Sequence, residues 1–230
     1  MSTQPPVLTI DGPGGSGKGE VSRRVAHTLG WHLLDSGALY RVLALIAQQA
    51  GISVAETERL GALARLLRVE FSQTTDGGEC IRVDGRDITQ SVRSEDCGAR
   101  ASEIAAIPAV RVGLKALQHG FHRPPGLVAD GRDMGTAIFP EAGLKIFLTA
   151  SIAERAKRRY NQLKQKGLDA NLPALFRDIT ARDERDQNRP VSPLKPALEA
   201  VVMDTTGMAV EEVVSRVLKL ARQRFGKAGG

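Results

Sequence analysis

Apolar residues along this chain gather into five short runs, at 7–10, 32–34, 127–130, 144–148 and 200–203. Several lack the alternation of a half-exposed strand, and continuous runs of this length predict strands covered on both faces. Helical patterns separate most of them. The clearest is Val210, Val213, Val214, Val217, Leu218 and Ala221, a spacing that draws one apolar stripe along a helix. Strands alternating with helices predict an α/β fold with a parallel, doubly wound sheet, whose ligands bind at the carboxyl ends of the strands.

The rhythm breaks between about 63 and 100. Val69-Glu70-Phe71-Ser72 and Cys80-Ile81-Arg82-Val83 predict strands across the turn Thr75-Asp76-Gly77-Gly78, and Val83-Asp84-Gly85-Arg86-Asp87-Ile88 predicts a further hairpin. Antiparallel strands within an α/β chain predict an inserted subdomain. Helical stretches follow near 93–105 and 108–122, no internal repeat is present, and the tail from Phe225 to Gly230 is expected to fray.

Composition adds limits. The chain has 230 residues, 42% hydrophobic and 25% charged, enough for one sizeable core and an inserted subdomain. No apolar run approaches the ~20 residues that span a membrane, and the start lacks the charged and apolar regions of a signal peptide. A cytoplasmic location without membrane attachment is therefore expected. Cys80 and Cys97 match no metal or redox spacing and read as free thiols in a reducing compartment. The net charge of +6 raises nucleic acid as a partner, but residues 151–189 alone carry ten Lys/Arg against six Asp/Glu, and only 4% of residues are aromatic. A local basic segment with few stacking platforms suits a nucleotide better than a strand of nucleic acid. Some of these charges, including Lys164 and Lys166, read as a solvated helical face. His119 and His122 lack an evident third ligand and read as loop histidines, so no protein-built metal site is expected.

The strongest chemical signal is Gly12-Pro13-Gly14-Gly15-Ser16-Gly17-Lys18, which follows the run Val7 to Asp11 and opens a helical segment, Glu20 to Leu29. Strand, glycine-rich loop, lysine and helix form the context of a phosphate-binding loop. The glycines let backbone N–H groups close on phosphate oxygens, and the helix N-terminus adds partial positive charge. Lys18 supplies a full charge toward the β- and γ-phosphates. An ordinary Gly-rich turn is the alternative, and the presence of all parts in order weighs against it. The Gly-Lys-Gly ending at Gly19 resembles nucleoside-monophosphate kinases rather than GTPases or motor ATPases. Those kinases usually place Thr next, where this chain has Glu20. A carboxylate facing phosphates is repelled, so Glu20 is expected to point outward on the first helical turn.

Three further strings follow predicted strands or lie on a predicted helix. In Asp35-Ser36-Gly37-Ala38-Leu39-Tyr40-Arg41, Ser36 caps a helix and Arg41 reaches from its second turn, an arrangement that can hold an anion. A helix cap alone needs no functional role for Ser36, and alone Arg41 reads as surface. In Asp130-Gly131-Arg132-Asp133, Arg132 can bind phosphate as a planar fork and Asp133 can accept from an amino group. An internally paired charged turn is the alternative. Arg182, Asp186 and Arg189 share one face of a predicted helix, which without context reads as an exposed salt-bridge ladder.

Taken together, the phosphate loop, Asp35 to Arg41, Ala129 to Thr136 and Arg182 to Arg189 resemble the bacterial cytidylate kinases, P-loop nucleoside-monophosphate kinases, over nearly the whole chain. The resemblance implies a five-stranded parallel doubly wound core with a small antiparallel-sheet subdomain for the monophosphate, inserted at about 63–105. A helical lid is implied at about 155–190, all within one kinase domain spanning 1–230. It implies ATP-dependent phosphorylation of CMP and dCMP by a monomer, with Mg2+ held mainly by phosphates and water. ATP would meet Gly12 to Glu20 and Arg158, with Arg159 a candidate beside it. The acceptor would meet Ser36, Arg41, Ser102, Arg111, Arg132, Asp133, Arg182, Asp186 and Arg189. Among these, Arg132 binds the acceptor phosphate, Asp133, Ser102 and Arg111 the cytosine, Asp186 and Arg182 the sugar region, and Arg189 reaches phosphate. Lys18, Arg132 and Arg189 are the implied catalytic residues, and Asp204-Thr205-Thr206 lies near the donor adenine. Local pattern alone reads Ser102 and Arg111 as helix surface. The alternatives are a P-loop kinase for UMP, AMP or a small alcohol, and a nucleotide switch. The chain lacks the Lys-Ser/Thr loop ending and the Asn-Lys-x-Asp string of a GTPase.

Overall fold

The computed structural model describes residues 4–73, 79–165, 167 and 169–226. The predicted turn at 75–78, Lys166 and the last four residues of the tail lie outside the described residues. In chain order the elements are β1 (Val7–Asp11), α1 (Lys18–Leu29), β2 (His32–Asp35), α2 (Ser36–Gln49), α3 (Thr57–Leu66), β3 (Glu70–Gln73), β4 (Glu79–Val83), β5 (Arg86–Asp87) and α4 (Thr89–Val92). Then come α5 (Glu95–Ile104), α6 (Pro108–His119), β6 (Leu127–Gly131), a π-helical turn (Met134–Ile138), β7 (Leu144–Thr149), α7 (Ile152–Gln165), α8 (Leu172–Gln187), β8 (Val201–Asp204) and α9 (Val210–Phe225). The chain forms two compact units, Met1–Asp35 with Phe121–Gly230, and Ser36–Gly120.

The first unit is built on a five-stranded sheet ordered β2-β6-β1-β7-β8, parallel at every pairing. All five predicted apolar runs are strands of this sheet. β1 and β6 are buried along their whole length, which is why neither alternates with polar residues. β8 forms an edge, and Val201 and Val202 are exposed there while Met203 is buried. α1 and α9 present Val21, Val25, Val213, Val217 and Leu218 to Leu8, Ile10, Val128 and Ile146 of the strands. Each such buried side chain contributes about 1.5–3 kcal/mol. From β1 the chain runs to β2 on one side of the sheet, and β7 and β8 lie on the other, so the winding reverses at β1. Doubly wound sheets place their ligands outside the carboxyl ends of the strands at such a point.

The second unit pairs helices with a three-stranded sheet ordered β3-β4-β5, antiparallel throughout, with Phe71 opposite Ile81 and Val83 opposite Arg86. Asp84 and Gly85 both take positive φ, 48° and 75°, as a two-residue hairpin turn requires. Leu43, Leu60, Ile81, Val110 and Leu114 form its core. α3 and α6 approach closely: a Cβ on Gly113 would lie 2.7 Å from the Ala64 methyl carbon. The helices expected near 93–105 and 108–122 run from 95 to 104 and from 108 to 119. Among the described residues, no helix is long and apolar enough to cross a membrane.

Candidate active site

Three neighbouring strands of the first unit end on carboxylates: β1 on Asp11, β2 on Asp35, and β6 on Asp130 with Gly131 following. Asp35 and Asp130 are register partners. The glycine-rich loop leaves β1 at this edge. Gly12 has φ of 152°, and a Cβ there would lie 2.0 Å from the Leu148 carbonyl oxygen, so the loop's first position admits no side chain. Gly17 is left-handed at the N-terminus of α1, and Lys18 is the first helical residue. Lys18 Nζ donates to the Pro13 carbonyl at 3.3 Å. Burial lowers the pKa of Lys18 and raises that of Asp130, while the attraction between the two opposes both shifts. The lysine thus carries its charge beside a carboxylate rather than alone in a dry site. Ser16 Oγ and Asp130 Oδ1 are buried and have no hydrogen-bond partner among the described residues.

Two arginines of α7 hold the loop by its carbonyls. Arg155 donates to Gly14 O at 3.0 Å and to Ala150 O at 2.9 Å, and its guanidinium also pairs with Asp183 of α8. Arg158 donates to Ser16 O at 3.3 Å and to Thr205 O at 2.5 Å. Arg159 instead donates to Gln162 at 3.3 Å. Asp204 accepts from the Thr206 backbone N–H and hydroxyl, closing a tight turn after β8.

Beside the loop lies a buried arginine–carboxylate cluster. Asp186 has no exposed surface, accepts from Arg132 Nε at 3.0 Å on one oxygen, and pairs with Arg189 through the other. Burial alone would raise its pKa. Arg132, Arg189 and Arg182 outweigh that effect and hold it at about 2. A Cβ built on Gly14 would lie 3.6 Å from Arg132 Nη2 and 4.0 Å from Arg182 Nη1, so both guanidinium groups face the loop. The structure therefore brings together Lys18, Arg132, Arg182, Asp186 and Arg189, all in the first unit. Asp133 is buried at the start of the π-helical turn. Asp11 holds that turn: its two carboxylate oxygens accept from the Met134 and Gly135 N–H groups at 2.8 Å each. Burial nevertheless pushes its pKa up to about 6.

Ser36, Arg41, Ser102 and Arg111 lie in the second unit. Three local expectations need correction. Ser36 is not a cap but the first residue of α2, buried, with its hydroxyl accepting from Gln118 Nε2 at 2.9 Å. Ser102 and Arg111 are not helix surface: both are buried, and Arg111 donates to Ala105 O at 3.2 Å. Arg189 lies past the end of α8 at Gln187, because Pro190 disfavours helical backbone in the residue before it. The exposed-ladder alternative for Arg182, Asp186 and Arg189 fails on the burial of Asp186 and Arg189. Arg41 donates to the carbonyls of Val92 and Ser94, both at 2.9 Å. Glu20 turns along α1 to Arg23 and Arg24, at 2.7 and 2.5 Å. His122 bonds to the Pro5 carbonyl at 2.7 Å, and among the described residues no group of three His, Cys, Asp or Glu could hold a metal.

Sequence reasoning did not assign Asp11, Arg155, Asp183 or Gln118. One signal was available for Asp11: an acid ending an apolar strand, repeated on two neighbouring strands. For Arg155 and Gln118 no local signal exists, since their partners lie 141 and 82 residues away.

A family model described as cytidylate kinase matches residues 8–223. A cytidylate kinase of Azotobacter vinelandii is 53% identical over 219 residues, 95% of this chain and 96% of that protein. One of Shewanella denitrificans is 52% identical over 220 residues, 95% of this chain and 97% of that protein. Among solved structures, a gluconokinase from Sinorhizobium meliloti aligns over 97% of this chain and 95% of its own at 16% identity, with a TM-score of 0.47.

Proposed function

Because the chain belongs to the cytidylate kinase family, we propose that it transfers the γ-phosphoryl group of ATP to CMP and dCMP, giving CDP or dCDP and ADP. One observation carries the reading beyond the family: a lysine-bearing phosphate loop faced by Arg132 and Arg182, with Arg132 and Arg189 gathered on a buried Asp186. Donor phosphates and an acceptor phosphate together bring several negative charges, and Lys18, Arg132, Arg182 and Arg189 gather here to offset them.

An acceptor phosphate oxygen attacks the γ-phosphorus in line. It is already anionic, so no general base is needed, and catalysis rests on positioning and charge stabilisation. Lys18 stabilises charge on the transferring group, Arg132 and Arg189 hold phosphate, and the loop from Gly12 to Gly19 binds ATP, while Glu20, implied by the resemblance as part of that loop, turns away to Arg23 and Arg24. Arg158 joins it through its hold on the Ser16 carbonyl. Asp133, Ser102 and Arg111 select cytosine, Ser36 and Arg41 bind the acceptor, and Arg182 and Asp186 act near its sugar. Residues 63–105 serve as the monophosphate-binding subdomain and 155–190 as a lid that excludes water. Mg2+ suits the oxygen donors left unpartnered at Ser16 and Asp130. These two residues would help hold it, with phosphates and water supplying the rest. When bound it supplies positive charge to the phosphates. We read the protein as a cytoplasmic monomer that binds no nucleic acid.

The test is ADP release with ATP and Mg2+ against CMP, dCMP, UMP, AMP and GMP. CMP and dCMP are expected to turn over at least about tenfold faster than the others, the ratio one unpaired polar group produces. Equal rates across the panel, or a preference for UMP or AMP, overturn the reading, as does guanine-nucleotide binding without phosphoryl transfer.

A further inference from the structure

Gln118 sits one residue before the end of α6 and is fully buried. Glutamine is mostly an exposed residue, so its complete burial calls for a polar partner. The partner is Ser36, 82 residues earlier: Gln118 Nε2 donates to Ser36 Oγ at 2.9 Å. The other half of the amide, Oε1, has no hydrogen-bond partner among the described residues. An apolar side chain of the same length would leave no such buried oxygen, so packing alone does not explain an amide here.

A hydroxyl has one hydrogen to give and two places to receive. With Gln118 filling a receiving position, the Ser36 hydrogen is left to point elsewhere. Ser36 opens α2, a helix of 14 residues, where backbone N–H groups without helical partners favour an anion. We propose that Gln118 is a positioning residue for the acceptor phosphate: by donating to Ser36 Oγ it fixes that hydroxyl as a donor to phosphate oxygen. The proposal rests on the reading of Ser36 as an acceptor ligand. A carboxylate in place of the amide reverses the polarity. It accepts the Ser36 hydrogen and turns the hydroxyl's lone pairs toward the phosphate.

The experiment is steady-state kinetics with CMP and ATP on Gln118→Glu, Gln118→Met, Ser36→Ala and the two Ser36→Ala double variants, each checked by circular dichroism and thermal melting. Gln118→Glu is expected to raise KM for CMP about 10- to 100-fold, the worth of one hydrogen bond to a charged group. Gln118→Met frees the hydroxyl without reversing it, and is expected to raise KM for CMP about three- to tenfold. In both, KM for ATP and kcat at saturating CMP stay within about threefold. On the Ser36→Ala background neither change adds more than about twofold, because it acts through the missing hydroxyl. A Gln118→Glu effect of the same size with and without Ser36 means direct charge repulsion and overturns the proposal. So does a Gln118→Met that lowers kcat and raises both KM values together, the mark of a packing role. If Gln118→Glu does not fold, Gln118→Met and its double variant decide by the same criteria. Ser36→Ala without effect on KM for CMP removes the reading of Ser36 itself. Ser36→Ala with a raised KM beside silent Gln118 variants removes only the role of Gln118.

Discussion

The two units bury different chemistry. In the first, Asp11, Asp130, Asp133, Asp183 and Asp186 are buried, together with Arg155 and Arg189. In the second, no carboxylate is buried among the described residues; Ser36, Ser102, Gln118 and Arg111 are, around a core running from Leu43 to Leu114. One unit is stabilised in part by opposed charges held out of water. The core of the other is held by packing and by hydrogen bonds that involve no carboxylate, and its paired acids, such as Asp87 on Thr89 and Glu56 on Arg59, lie outside that core. The difference predicts that the first unit senses pH and the removal of single charges, and that the second senses volume.

The largest effect expected is at Asp186. Asp186→Ala leaves Arg132 and Arg189 without the carboxylate they share, and breaking a buried pair from one side costs about 3–5 kcal/mol. Urea unfolding at pH 7 measures it, and a loss under about 1 kcal/mol would make the cluster an ornament of the fold rather than a support. The pH dependence has a definite sign. The pKa of Asp186 falls on folding from the ordinary 3.8 to about 2. Its contribution is therefore full above about pH 5 and is lost as pH falls through 4 toward 2, a matter of about 2 kcal/mol. Asp11 works the other way. Its pKa is raised to about 6, so stability present below its ordinary 3.8 is lost as pH rises through 6. In the second unit, Leu114→Ala is expected to cost about 2–5 kcal/mol by leaving a cavity, equally at pH 7 and pH 4. If Leu114→Ala proves as pH-sensitive as the wild type's acid limb, the contrast between the units fails.

Next in size is Lys18→Ala. Removing one preorganised positive group from a developing charge costs about 100- to 1000-fold in kcat, with the fold intact. Single-turnover phosphoryl transfer to CMP, alongside melting, separates the two. Near-normal kcat in the folded variant would take the phosphate loop out of the mechanism.

How much of this could be read from the residues depends on the distance between partners. The five strands, the loop and the Asp84-Gly85 hairpin are local patterns, and each lies where its pattern predicts. No helix is assigned to α3 from the sequence, although Leu60, Leu63, Ala64 and Leu67 draw an apolar stripe at helical spacing; what no local pattern carries is its close packing, Gly61 on Ala109 and Gly113 on Ala64. Ser102 and Arg111 read as surface because an isolated polar residue on a helix usually is. Their burial is decided by the helices packed around them. The clamp of Arg155 on Gly14 and Asp183 joins three segments, and nothing local in any of them announces the other two. The resemblance supplied roles for the acceptor residues, but it was silent on what holds those residues in place.

A smaller and more selective effect is expected at Asp133, a carboxylate buried in the first unit. Cytosine offers an amino donor where uracil has a carbonyl, so a carboxylate there accepts from one base and repels the other. Asp133→Ala is expected to lower kcat/KM for CMP about 10- to 100-fold, and that for UMP far less. Equal fractional losses on both would assign Asp133 to structure or phosphate positioning.

The smallest effect is expected at Glu20, where the first unit wears its charge on the outside. Its carboxylate is 39% exposed and reaches Arg23 and Arg24 along the helix, while Arg24 continues to Glu211 of α9 at 2.9 Å. Exposed pairs of this kind contribute little, because water and salt screen them. An acid in the first turn of a helix adds a similarly small amount. Glu20→Thr, which restores the residue usual in nucleoside-monophosphate kinases, is thus expected to lower stability by about 1 kcal/mol or less, with the difference shrinking in 1 M salt. Since the carboxylate turns away to its arginines, KM for ATP should stay within about twofold or fall slightly as a negative charge leaves the loop. The decisive measurement is kcat/KM for ATP at low and high salt. A loss of tenfold or more that salt does not change would mean that Glu20 acts on bound nucleotide, and the distinction between buried, pH-sensitive charge and screened surface charge would no longer hold at this loop.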